Sequence, residues 1–205
     1  MAKRLFDLFG AALALLLLAP LLLALALWVK FDSPGPVFFR QQRVGRGGRL
    51  FEIHKFRSMV AGAAERGPLI TVGNDVRITR AGTFLRRSKF DELPQLLDVL
   101  AGDMSLVGPR PEVPAYVAHY PPALRDQVLA VRPGITDPVS LELADESELL
   151  ARAADPEREY IEVLLPRKLR AAADYAAHAT LFTDLRVLAR TLRVLWSRLF
   201  ASPAT

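Results

Sequence analysis

The sequence predicts a mainly α protein with one small β-hairpin and a hydrophobic N-terminal helix. Three observations carry that expectation. No charged residue occurs from Leu8 to Val29. Two β-prone runs flank the glycine-rich Gly45-Arg46-Gly47-Gly48. Beyond residue 90, apolar residues recur in several stretches at three- and four-residue spacing, which is the helical period.

A length of 205 residues suits one domain, or a domain with an anchor, and half of the residues are apolar, enough for a core. The net charge of +5 points to an anionic partner: nucleic acid, an acidic membrane surface or a phosphorylated substrate. With no cysteine, disulfides, thiolate nucleophiles and cysteine-bound metals are excluded. His54, His119 and His178 lie far apart and form no HExxH pair, so a histidine-held metal is not expected.

The apolar run, Leu and Ala in the main, is long enough to cross roughly 30 Å of hydrocarbon as a helix. The flank Lys30-Phe31-Asp32-Ser33-Pro34 has no small-residue cleavage site, which argues against a signal peptide. Pro20 removes a hydrogen bond in mid-helix and predicts a kink. Hydropathy alone favours one tilted span. Basic residues flank both ends, however: Lys3 and Arg4 before, Lys30, Arg40 and Arg43 after. The positive-inside rule then places both ends in the cytoplasm, as a helix that bends at Pro20 and leaves by the face it entered would allow. The chain is expected to divide into a membrane segment, 1–31, and a cytoplasmic, membrane-associated domain, 32–205.

The hairpin strands are expected at 36–44 and 49–57, with cations that favour anionic headgroups. Lys55 and Arg57 flank Phe56 on one strand face and are the candidates for gripping phosphate. A loop is expected over 58–75, around Gly62, Gly67, Pro68 and Gly73.

Arg77, Arg80, Arg86, Arg87 and Lys89 then lead directly into Asp91-Glu92. Leu93, Leu96, Leu97 and Leu100 predict a helix over 91–101, stopped by Gly102, with Pro94 in its first turn. Asp91 and Glu92 fall at the N-terminus, where an N-cap and a first-turn acid are the plain reading and where the dipole favours ionised carboxylate. Two things argue for more. The preceding cations are dense, and Gly108-Pro109-Arg110-Pro111-Glu112 holds an arginine between two prolines. Carboxylates that bind a divalent metal or attack phosphorus, beside fixed cations, suit phosphoryl chemistry.

On these residues the chain resembles the bacterial sugar transferases, the small monotopic polyprenyl-phosphate phosphoglycosyl transferases. The matching pieces are Lys3-Arg4 with the broken hydrophobic helix, Lys55-Phe56-Arg57-Ser58-Met59, Asp91-Glu92-Leu93-Pro94-Gln95-Leu96, Gly102-Asp103-Met104-Ser105 through Pro111, and Arg132-Pro133-Gly134-Ile135-Thr136. Tyr175 and Asp184 also fall where the family tends to keep a tyrosine and an aspartate.

The resemblance implies transfer of a phospho-sugar from a UDP-sugar to polyprenol phosphate, with release of UMP, at the cytoplasmic face of a bacterial inner membrane. It implies Asp91 as nucleophile, Glu92 with Asp91 as the Mg²⁺ site, and Lys55, Arg86 and Arg110 as phosphate contacts. It implies a re-entrant helix broken at Pro20, contact with membrane lipids and no nucleic-acid partner. The sugar, the pathway and homo-oligomer formation stay open. Two departures stand out: Ala19 precedes the helix proline where many relatives have serine, and Thr136 is followed by Asp137-Pro138-Val139-Ser140 where a glycine is common.

Asp155-Pro156-Glu157 signals a helix start and Pro166 an interruption, with a further helix over 167–178. Residues 184–200 set Arg186, Arg190, Arg193 and Arg198 among Leu, Val, Trp196 and Phe200. That pattern fits an interfacial amphipathic helix or a core helix with an arginine face. The rival from another class is a non-catalytic basic membrane module, which explains the charge but not the acidic pair or the proline-arginine loop.

Overall fold

The computed structural model describes residues 1–63, 67, 70–73, 75–139 and 146–200, without the side chains of residue 148 and residues 198–200. Pro68, Ser140 and the side chains of Arg198 and Phe200 thus lie outside the described residues. Among the described residues the fold is mainly helical, with one antiparallel strand pair as expected and one parallel pair that the sequence did not suggest.

Helix α1, Ala2–Asp32, runs past Pro20 as one assigned helix about 46 Å long. Its faces differ sharply. Ala11 joins a cluster with Phe51, Ile53, Leu96, Val99 and Met104, while Leu25 and Val29 join Phe56, Ala81 and Leu85. The opposite face leaves Phe9, Leu16, Leu17, Leu23 and Trp28 bare. The most apolar 18-residue window has a mean hydropathy of 2.7, yet the protein buries only 11% of it, so most of this surface must find its apolar partner elsewhere.

Both ends of α1 are tied to the same body. At the start, Lys3 Nζ donates to Asp184 Oδ2 (2.5 Å) and to the Val107 carbonyl (3.0 Å). Buried Asp7 accepts from Ser105 Oγ (2.9 Å) and Leu106 N (3.1 Å). At the far end the Arg57 guanidinium donates to the carbonyls of Val29 (3.0 Å), Ser33 (2.7 Å) and Pro34. These are the free carbonyls of a helix C-terminus, a favourable place for a cation. Arg57 thus fastens the end of α1 with its two terminal nitrogens, while its Nε has no hydrogen-bond partner and the residue also lines the cleft described below.

Strands β1, Phe38–Val44, and β2, Leu50–Phe56, form the hairpin in the register Phe38 opposite Phe56. Its turn needs glycine: Gly47 and Gly48 have φ of 68° and 79°. His54 of β2 binds Asp98 through its backbone N–H (2.9 Å) and its ring (2.6 Å), fastening the hairpin to the helix that follows the acidic pair.

Helix α2, Arg80–Ser88, is capped by Thr79, whose Oγ1 accepts from Gly82 N (3.0 Å). A side chain on Gly82 would run into the Ser58 carbonyl. Helix α3, Gln95–Ala101, ends at Gly102 in the left-handed region, the expected stop. Strands β3, Ser105–Val107, and β4, Gly134–Thr136, pair in parallel, Ser105 beside Gly134, and bring together two loops far apart in the chain. Glycine permits that approach, since a Cβ on Gly108 would sit 2.5 Å from the Arg132 carbonyl.

Helices α4, Pro114–Val117, and α5, Pro122–Leu129, share a core with α6, Glu146–Ala151, and α8, Leu165–His178, while α7, Pro156–Glu159, buries no residue. As predicted, Asp155 caps α7, with its Oδ1 accepting from Arg158 N (3.1 Å). The interruption before Pro166 takes the form of a π-turn over Tyr160–Leu164, a wider turn that accommodates a ring without an N–H. The last helix, α9, Leu181–Phe200, exposes Phe182, Leu185, Leu192 and Trp196.

Candidate active site

Asp91 and Glu92 lie in a 3₁₀ turn, Phe90–Glu92, between α2 and α3. The α-helix proper begins only at Gln95, later than the predicted 91. Lys89 explains the break: its φ of 61° ends α2 and redirects the chain.

Neither carboxylate caps a helix, which corrects the capping expectation. Asp91 is buried and its Oδ1 has no hydrogen-bond partner. Glu92 instead meets two cations. Lys55 Nζ, delivered by β2, donates to its Oε1 (3.0 Å). Arg110, held in the loop after β3, forks onto both oxygens, with Nη1 3.0 Å from Oε2 and Nη2 on Oε1. A planar guanidinium matches a carboxylate in this way, and a lysine at this place would not.

The two acids consequently differ. Burial, then the neighbouring Glu92 charge, pushes the Asp91 carboxyl above the usual aspartate range, although Lys55, Lys89 and Arg86 pull the other way. Desolvation thus works against the ionised form that the N-terminal position was expected to favour. Burial would also raise Glu92, but Arg110 and Lys55 outweigh it and hold that carboxyl well below its ordinary value. Burial lowers the Lys55 ammonium against the pull of Glu92.

Lys55, Arg86, Asp91, Glu92 and Arg110 all line one cleft of about 1070 Å³. Four of them form the tight group just described. Arg86 lies on the wall, where its Nη1 donates to Ser58 Oγ at 3.5 Å. Pro20 lies on the exposed side of α1 and is not among the lining residues. Apolar walls come from Val37 and Phe38 of the hairpin side and from Val194 and Leu195 of α9. Thr191 of α9 meets Thr136 of β4, Oγ1 to Oγ1, at 2.9 Å.

A metal fits this donor set in one particular way. Among the described residues no three His, Asp or Glu side chains converge as a cage. Mg²⁺ does not need one, since it commonly binds through one or two carboxylates together with substrate phosphates and water. The unpartnered Asp91 Oδ1 would offer such an ion one carboxylate oxygen, with Glu92, whose oxygens already meet Lys55 and Arg110, beside it.

The family model for bacterial sugar transferases matches residues 1–198. The chain belongs to that family. Its relatives include a UDP-glucose:undecaprenyl-phosphate glucose-1-phosphate transferase of Xanthomonas campestris pv. campestris, 42% identical over 199 residues, 95% of this chain and 39% of that protein. A protein of the same name from Caulobacter vibrioides is 40% identical over 194 residues, 93% of this chain and 68% of its own length. The exopolysaccharide production protein PSS of Rhizobium leguminosarum bv. phaseoli is 54% identical over 114 residues, 53% of this chain and 54% of its own. This bacterial sugar transferase chain thus spans well under half of the Xanthomonas relative.

Sequence reasoning missed the other polar wall of the cleft. Glu112, Tyr160, Lys168 and Glu146 come from four separate segments and meet there, with Arg43 of β1 nearby. Only Glu112 carried a signal, as the end of the proline-arginine loop. Tyr175 and Asp184, noted for the resemblance, lie outside the lining and form a brace instead: the Tyr175 hydroxyl reaches Asp184 Oδ1 (2.6 Å) and the Val107 carbonyl (3.0 Å).

Proposed function

We propose that this protein transfers a sugar phosphate from a UDP-sugar to polyprenol phosphate, in two displacements at phosphorus through Asp91. In the first, an Asp91 carboxylate oxygen attacks the phosphorus that carries the sugar. The bond from that phosphorus to the bridging oxygen breaks, and UMP leaves. In the second, a phosphate oxygen of the lipid attacks the same phosphorus and the acyl-phosphate bond breaks. That restores the Asp91 carboxylate and yields polyprenyl-diphosphate-sugar. Splitting one hard displacement into two is the usual advantage of a covalent route.

The observation that carries this reading is the buried Asp91 Oδ1, free of partners beside a carboxylate already held by two cations. The division of labour follows. Glu92 absorbs the charge of Arg110 and Lys55, so these cations stay fixed and oriented in the cleft. Arg110 has five N–H donors, more than Glu92 can use, and the remainder can meet phosphate oxygens. Glu92 and Asp91 would hold Mg²⁺, which when bound neutralises charge on the diphosphate. Arg86 supplies a further positive charge along the wall.

The names of the Xanthomonas and Caulobacter relatives support the donor and acceptor classes. The bare apolar face of α1 supports attachment to a membrane, and the ties at both of its ends to one body support a re-entrant course through Pro20. Such a protein would work at the cytoplasmic face of a bacterial inner membrane, where a water-soluble nucleotide sugar and a lipid phosphate can meet in one cleft. The test is UMP release from a panel of UDP-sugars with undecaprenyl phosphate and Mg²⁺. Asp91→Asn should lower turnover about a thousandfold or more. Full turnover by that variant would remove Asp91 as nucleophile.

A further inference from the structure

The polar wall beyond Arg110 has no part in the displacement chemistry, and its composition is unusual for an inert brace. Glu112 keeps only 10% of its side chain exposed, yet Lys168 and Arg43 outweigh the desolvation and hold its carboxyl below the ordinary range. Its Oε1 accepts from the Tyr160 hydroxyl at 2.5 Å and from Lys168 Nζ at 3.4 Å. Lys168 also reaches Glu146 Oε2 at 3.1 Å and the Tyr160 oxygen at 3.1 Å, and its ammonium lies 4.8 Å from the centre of the Tyr160 ring. The group is therefore rigid and charged.

Beside it stands Tyr116, whose ring is 4.7 Å from that of Tyr160. Only 4% of Tyr116 is exposed, its hydroxyl has no partner, and it lines the cleft. Burial first, then Glu157 and Glu112, pushes that hydroxyl up to about 12, so it remains a proton donor at any working pH. A buried hydroxyl without a partner is costly, of order 1–3 kcal/mol, and marks a place where a ligand can repay the cost.

We infer that Tyr116, with Glu112, Glu146 and Lys168, forms the subsite that reads the hydroxyl pattern of the sugar carried by the donor. The inference rests on the reading of Asp91 as the phosphorus acceptor. Two features select the sugar over the nucleoside. Glu112 follows Arg110 by two residues, so their Cα atoms are at most about 7 Å apart, close to the width of one pyranose ring. The sugar is bonded directly to the phosphorus under attack, whereas the base stands beyond a second phosphate and a ribose. The chemistry agrees: each sugar hydroxyl both donates and accepts, and this wall offers carboxylate acceptors together with ammonium and phenol donors. Such a wall rejects a sugar whose hydroxyl or amide falls at the wrong place, because a buried group is then stranded.

The experiment compares the unsubstituted protein with Tyr116→Phe and Lys168→Met, using UDP-glucose, UDP-galactose, UDP-N-acetylglucosamine and UDP-N-acetylgalactosamine, with UDP as a competing ligand that lacks the sugar. Tyr116→Phe keeps the ring packing and should fold as the parent does. Its kcat/KM for the preferred sugar should fall about tenfold, with the ranking among sugars altered and inhibition by UDP unchanged within about twofold. Equal losses for UDP and UDP-sugar would place this wall on the nucleotide side and overturn the inference. Unchanged kcat/KM and ranking in Tyr116→Phe would reduce the wall to a structural brace, also overturning it. If the unsubstituted protein releases no UMP from any donor, the transferase reading fails first and the subsite falls with it.

Discussion

The Lys3–Asp184 contact gives a sharp test of how α1 is seated. Asp184 is fully buried, Lys3 is partly exposed, and their charged atoms are 2.5 Å apart. Removing one partner of a fully buried pair costs about 3–5 kcal/mol, because it strands a charge. Two facts reduce that here. Lys3 keeps 39% of its side chain in solvent, and Asp184 retains the Tyr175 hydroxyl as a donor. Against this, Lys3→Met also removes a charged hydrogen bond to the Val107 carbonyl. A net loss of about 2–3 kcal/mol follows, which for a chain of this size lowers the melting temperature by roughly 4–12 °C. The assay is thermal unfolding of detergent-solubilised protein at one fixed scan rate. Adding Asp184→Asn to Lys3→Met removes the stranded charge and should recover at least about 1 kcal/mol of the loss, visible as non-additivity in a double-mutant cycle. Strictly additive effects, or a Lys3→Met protein that melts with the parent, would mean that the start of α1 is not docked on the body.

Other outcomes follow from the same contacts. A cysteine placed at residue 2 should resist an impermeant thiol reagent added to intact spheroplasts; labelling from outside would refute a helix that returns to its own face. Gly134→Ala should destabilise by about 3 kcal/mol or more, since a Cβ there collides with the Gly108 backbone and parts β3 from β4; a parent-like melting curve would contradict the close approach. Glu112 has a depressed folded-state value, so its contribution to stability is present above the ordinary glutamate value of about 4.3 and is lost as pH falls through the lower folded value. Glu112→Gln should therefore melt below the parent at neutral pH and converge with it in acid. An equal gap at every pH would show that the Glu112 charge is not what stabilises.

What could be read in the chain was what local rules encode. The apolar run from Leu8, the glycine turn at Gly47 and Gly48, the stop at Gly102 and the cap at Asp155 each follow from a few adjacent residues, and each element is found near its expected bounds. The motif residues Lys55, Asp91, Glu92 and Arg110 were legible because the resemblance names them together, although they come from three separate segments. Strands β3 and β4 were not legible, because three residues carry no period. Nor was the bracing of α1 by Arg57, which depends on carbonyls of Val29, Ser33 and Pro34.

The sequence by itself determined that a membrane-seeking helix precedes a domain rich in cations with one acidic pair among them. Only the tertiary structure decided how the two acids differ. Both sit in one turn and would titrate alike in an unfolded chain. Folding buries Asp91 and most of Glu92, but it brings Arg110 and Lys55 onto Glu92 and leaves an oxygen of Asp91 without a partner. Desolvation then raises one carboxyl while paired cations hold the other down, a difference created by distance between residues far apart in the chain.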